Sequence, residues 1–197
     1  MSYVDSIVAF AVAEEGVNWK QNESRILEYF QSATGRTYIK SAALTISWCT
    51  YFVMWVLRKS ELDPLPAVGT PPPKDFSVGR FIKSVDGRGG AGNATGTHGY
   101  WGVYDTHSVA ANKYQPKAGD LFYLPSFNDH IGIIEAVLPN GSVLTLNGNS
   151  GPAKGEGFDP RFEASAQIGS GFVYRKPRTL RDGKPMHGGA CWIEIPD

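Results

Sequence analysis

A chain of 197 residues, 42% hydrophobic and 19% charged, is long enough to bury a sizeable core in a single domain spanning 1–197. Its 19 basic and 19 acidic residues balance, so no net field points to nucleic acid or an anionic membrane as partner. Two cysteines, Cys49 and Cys191, are too few for a disulfide framework, although one bridge between them stays open.

Val4, Ile7, Val8, Ala11 and Val12 recur at helical spacing, with Asp5 and Ser6 in a first turn and Gly16 at the close. Asp5 interrupts this apolar run and no basic residue precedes it, so it does not read as a secretory signal. No later run is long enough to span a bilayer. The expectation is synthesis in the cytoplasm without classical export, and no membrane insertion.

A second helix is predicted from about Glu23 to Ala33, with Ile26, Leu27 and Phe30 on one face and Gly35 at its end. Tyr38 to Ile46 reads as a connector. A third helix runs from near Trp48 to about Lys59, apolar nearly all round and so buried, with Ser47 as its N-cap. Five prolines between Asp63 and Lys74 predict an extended crossing. The glycine-rich stretch Gly87–Gly102, which carries His98, Tyr100 and Trp101, reads either as a substrate-side loop or as an indifferent insertion.

Past Gln115 the period shortens. Asp120–Leu124, His130–Val137, Ser142–Asn147 and Gly171–Arg175 read as strands, and Cys191–Ile195 as a final edge strand. Pro139-Asn140-Gly141 is a hairpin signal joining the second and third of these. Arg175, Lys176, Arg178 and Arg181 form a basic cluster read as a solvated face. Helices first and an antiparallel sheet after make an α+β fold.

Cys49 stands at the start of the apolar helix, where backbone N–H groups and the helix dipole favour a thiolate. Adjacent Trp48 can shield the site or stack on a ligand. A thiolate nucleophile needs an imidazole to take its proton and protonate the leaving amine. Of the four histidines, His98, His107 and His187 fall in loop-like sequence, whereas His130 heads a strand that holds it firmly. Gly132, two residues on, leaves room for a side chain or substrate to approach. Asn147 and Asn149, near the end of the paired strand, are the candidates to orient the imidazole, and the choice between them is open. The cysteines and histidines lack paired-ligand spacing and no GxxxxGK[ST] loop occurs, so no metal, cofactor or nucleotide is expected.

Taken together, these stretches resemble the CHAP amidohydrolase/peptidase domains. Trp48-Cys49-Thr50-Tyr51-Phe52-Val53 is similar to their WCxxFV signature, and Pro116–Leu121 to their PxxGD turn. His130-Ile131-Gly132-Ile133-Ile134 is similar to their HxGIV strand, and Asn147-Gly148-Asn149 stands where they carry E-G-N or G-G-N. Asn22–Gln31 and Gly171–Pro177 resemble their N-terminal helix and closing strand, so the likeness covers roughly residues 5–177. Asn147 replaces a frequent Glu, Ser47 a frequent Pro, the loop Val85–Tyr114 is longer than expected, and residues 178–197 find no counterpart.

The resemblance implies a papain-like fold, with N-terminal helices on a central antiparallel sheet. It also implies a peptidoglycan substrate and catalytic roles for Cys49 and His130 with Asn147 or Asn149. The expected bond is an amide of the stem peptide or its junction with muramic acid, with Trp48, Gly132 and Trp101 expected at the substrate. A wall substrate without a signal sequence suggests an effector injected into a rival's periplasm, with a cognate immunity protein as partner. A phage endolysin is the alternative; a non-catalytic wall-binding module and a cytoplasmic cysteine amidase are others.

Overall fold

The computed structural model describes residues 2–62, 102–105, 115–124, 130–151, 169, 171–178 and 191–195. Helix α1 (Tyr3–Ala13) opens in a capping box: the Ser2 hydroxyl accepts from the Asp5 N–H, and the Asp5 carboxylate accepts from the Ser2 N–H. Helix α2 (Trp19–Thr34) starts on Asn18, whose side chain accepts from the N–H groups of Lys20 and Gln21. It kinks at Asn22 and ends on left-handed Gly35. The sequence places its start at Glu23 because the apolar rhythm begins only past that kink. A single turn, α3 (Lys40–Ala43), interrupts the expected connector.

Helix α4 (Cys49–Lys59) is buried at every position from Cys49 to Leu57, and each large apolar side chain there contributes about 1.5–3 kcal/mol of burial. Its N-cap is Trp48 and no side chain caps it. Ser47 is therefore not the cap that the sequence predicts; its hydroxyl turns to the Cys49 sulfur instead.

Among the described residues six strands form one antiparallel sheet: β1 (Gly102–Asp105), β2 (Leu121–Leu124), β3 (His130–Val137), β4 (Val143–Ser150), β5 (Phe172–Arg178) and β6 (Cys191–Glu194). Their order is β1-β6-β2-β3-β4-β5. The β3–β4 hairpin forms as expected, with Gly141 at φ 78° and the Leu138 N–H donating to the Ser142 carbonyl at 2.7 Å. The last strand, expected at an edge, lies inside the sheet between β1 and β2. A long-range bond accompanies this placement: the buried Asp120 carboxylate accepts the Ile195 N–H at 3.1 Å and the Lys117 N–H at 2.9 Å.

Alternation along the strands gives the sheet two faces. Leu121, Ile131, Ile133, Leu146 and Val173 join the helices in one core with Ile26, Tyr29, Phe30, Phe52 and Val53. Phe122, Gly132, Thr145 and Asn147 lie on the other face. The result is the predicted α+β architecture, compatible with a papain-like fold. Helix α4 meets β4 closely because Gly148 has no side chain; a Cβ there would stand 2.5 Å from the Phe52 Cβ. That approach brings the N-terminus of α4 to the ends of β3 and β4.

Candidate active site

Cys49 is a reduced thiol on the first residue of α4, 1% exposed, so no bridge to Cys191 forms. Burial pushes the thiol up. A hydrogen bond and charge from His130 outweigh it, joined by the Ile131 N–H and the Ser47 hydroxyl, and the thiol falls to about 7. A thiol lowered in this way ionises near neutral pH, which makes it a nucleophile.

His130, the first residue of β3, carries its other contact to Asn147: Nε2 lies 3.0 Å from Oδ1. The chemistry around Asn147 decides which atom donates. Its amide nitrogen faces the carbonyls of Thr145 and Tyr174, both at 3.1 Å, and the Thr145 hydroxyl at 3.0 Å. That hydroxyl spends its own proton on the Lys176 carbonyl. Oδ1 receives the Arg178 guanidinium at 2.9 Å, and a guanidinium only donates. Oδ1 is therefore an acceptor, and His130 Nε2 carries the proton. The neutral ring then holds its lone pair on Nδ1, the nitrogen left for the thiol.

Asn149 does something else. It sits at φ 54° within the β4 irregularity between Asn147 and Ser150. The Gly171 N–H donates to its Oδ1 at 3.1 Å, which turns its amide nitrogen to Ser47 Oγ, also at 3.1 Å. The Ser47 hydroxyl lies 3.6 Å from Cys49 Sγ and lowers the thiol, which is the effect of donating its proton to the thiolate form. Gly171 is required here, since a Cβ would lie 2.5 Å from the Asn149 carbonyl carbon. One asparagine thus faces the imidazole and the other faces the thiol through a serine.

The expected substrate contacts fare differently. Trp48 is fully buried, stacked near Tyr29 with its indole N–H on the Gly169 carbonyl at 2.8 Å, so it serves the scaffold. Trp19 donates to the same carbonyl at 2.6 Å. Gly132 is buried too, and the space it leaves is filled by Phe122, whose ring would lie 2.5 Å from a Cβ. Neither residue offers a surface to substrate. Trp101, His98, His107 and His187 lie outside the described residues.

Two contributors escape the sequence reading. Ser47 carries the pattern of a helix cap, and only the Asn149 contact reveals its other use. Arg178 falls in the basic cluster read as a solvated face, yet it is partly buried beside Asn147 with its Cζ 4.5 Å from the Phe122 ring centre. Burial pushes its guanidinium down to about 10. Arg175, on the same strand, does stand at the edge of the fold, bonded to Glu135 and Glu15.

No curated protein and no solved structure matches the chain. A family model does: the CHAP domain matches residues 41–149, a stretch that holds Cys49, His130, Asn147 and Asn149 and ends before β5. Such domains are peptidoglycan hydrolases, amidases or peptidases in general. With more than half of its length matched, and a cysteine and a histidine hydrogen-bonded at its centre, the chain belongs to the CHAP domain family.

Proposed function

We propose that the protein is a cysteine-dependent peptidoglycan hydrolase, cleaving a stem-peptide amide or its junction with muramic acid. The observation that carries this is the hydrogen-bonded series Cys49–His130–Asn147, with the thiol held near 7. The Cys49 thiolate attacks the amide carbonyl carbon while His130 holds the thiol proton on Nδ1. N–H groups at the uncapped start of α4 stabilise the oxyanion. The tetrahedral adduct collapses as the Nδ1 proton passes to the leaving amine, giving a thioester and a free amine. Water then loses a proton to His130, attacks the thioester and releases a carboxylate and the thiol.

Asn147 holds the imidazole in the tautomer this sequence of steps needs. Asn149 acts through Ser47, whose hydroxyl stabilises the thiolate. The wall-binding reading is less well supported, since a pure binder has no use for a thiol brought down to about 7. Incubating purified sacculi with the protein and with Cys49→Ala tests the proposal. Release of amines or muropeptides by the parent alone is the expected result; equal release by both sinks it.

For the place of action we retain the sequence-derived expectation of an effector delivered to the periplasm of a target bacterium, guarded by an immunity protein that fills the cleft. Expression confined to the cytoplasm should be tolerated and periplasmic export should lyse the host. Toxicity in both compartments speaks for a cytoplasmic amidase instead, and lysis that requires a co-expressed holin for an endolysin.

A further inference from the structure

Arg178 fixes the Asn147 amide through one nitrogen, but its charge has no counter-ion among the described residues and no use in the reaction steps above. It closes β5, past the end of the family match at residue 149, so it is a feature of this chain rather than of the shared stretch. A guanidinium has five N–H donors. Among the described residues only the NH2 nitrogen of Arg178 finds a hydrogen-bond partner, Asn147 Oδ1, and Nε is buried without one. No carboxylate among the described residues pairs with it. Arg175 shows the contrast, with Glu135 at 2.7 Å and Glu15 at 2.6 Å. A partly buried cation without a counter-ion is costly to the fold, and a bound anion would offset that cost.

Position says which anion. The His130–Asn147–Arg178 series runs away from the thiol: Nδ1 faces Cys49, Nε2 faces Asn147, and the guanidinium lies beyond at 2.9 Å from Oδ1. The face of Phe122 holds it there, and the Phe122 ring is 6.0 Å from that of His130. In the proposed reaction the leaving amine takes its proton from His130, so the part of the substrate that departs lies on the imidazole side of the thiol. That is the side on which Arg178 sits. We propose that Arg178 binds a carboxylate on the leaving-group side of the scissile amide, a few bonds from the released amine. The planar fork of a guanidinium suits a carboxylate better than an ammonium would. Stem peptides with free carboxylates supply the group, and amidated ones lack it. The inference rests on the hydrolase reading.

The test uses the full chain on synthetic stem-peptide substrates in which each free carboxylate is converted in turn to the carboxamide. For the parent, one conversion should lower kcat/KM about 10- to 100-fold, mainly through KM. R178Q should act on the carboxylate and carboxamide forms alike, at the parent's carboxamide level or below. R178K, which keeps the charge, should recover part of the difference. A parent indifferent to every conversion overturns the proposal, and so does R178Q keeping the parent's preference, because Arg178 then only steadies Asn147. The first arm needs no variant, so a misfolded one does not rescue the idea. If the parent hydrolyses nothing, the hydrolase reading falls and this inference with it; hydrolysis without carboxylate preference removes this inference alone.

Discussion

Asn147 and Asn149 are separated by one glycine and face the two halves of the dyad. The fixed amide of Asn147, held by two carbonyls, a hydroxyl and Arg178, makes it an acceptor for His130. Asn147→Ala should therefore lower kcat on the order of 100-fold and move the Cys49 midpoint upward, because a misplaced imidazole loses both its aim and its hold on the thiol. Stopped assays of muropeptide release across pH check it. The Asn149–Ser47 arm acts on the thiol itself. Iodoacetamide labelling of Cys49 should titrate with a midpoint near 7, falling as pH drops because the thiolate is protonated. Ser47→Ala removes a hydrogen bond to the charged form and should raise the midpoint by about one unit. Asn149→Gly tolerates φ 54° and removes only the side chain, so it should move the midpoint the same way without unfolding the protein. An unmoved midpoint in both variants would refute the arm.

At the level of elements, the site depends on how close α4 comes to the hairpin. Gly148 allows Phe52 against β4, and Gly132 allows Phe122 against β3 beside the Leu146 carbonyl. Phe122 in turn supports both the His130 ring and the Arg178 guanidinium. Gly148→Ala places a methyl 2.5 Å from the Phe52 Cβ, where neither helix nor strand yields easily. It should destabilise the protein by about 1–3 kcal/mol, read from urea unfolding, and displace the start of α4 enough to weaken activity in the folded fraction. A change below the error of the urea midpoint would mean that the helix shifts without cost.

For the whole molecule, the chain end completes the sheet that the hairpin begins. β6 separates β1 from β2, and Ile195 is tied to the buried Asp120. Truncation after Arg178 should therefore remove an interior strand and abolish cooperative thermal unfolding by circular dichroism. Asp120→Ala should cost less, about 1–3 kcal/mol, from the N–H groups left without their acceptor. A truncated chain with a parental melt would show that β6 is an appendage after all.

Sequence alone determined what is local. The 3.6-residue rhythm of Ile26, Leu27 and Phe30, the unbroken apolar run from Tyr51 to Leu57, and the Pro139-Asn140-Gly141 turn each carry their structure in neighbouring residues. Cys49 at a helix start and His130 at a strand start were legible for the same reason. Tertiary structure alone decided what depends on approach between distant segments. Trp48 was drawn into the core by Gly169, Ser47 was turned from cap to thiol donor by Asn149, and β6 was inserted beside β2. The split between the asparagines belongs here too. An amide has no preferred partner until Arg178, Tyr174 and Gly171, from another strand and its approach, fix which of its atoms must donate and which must accept.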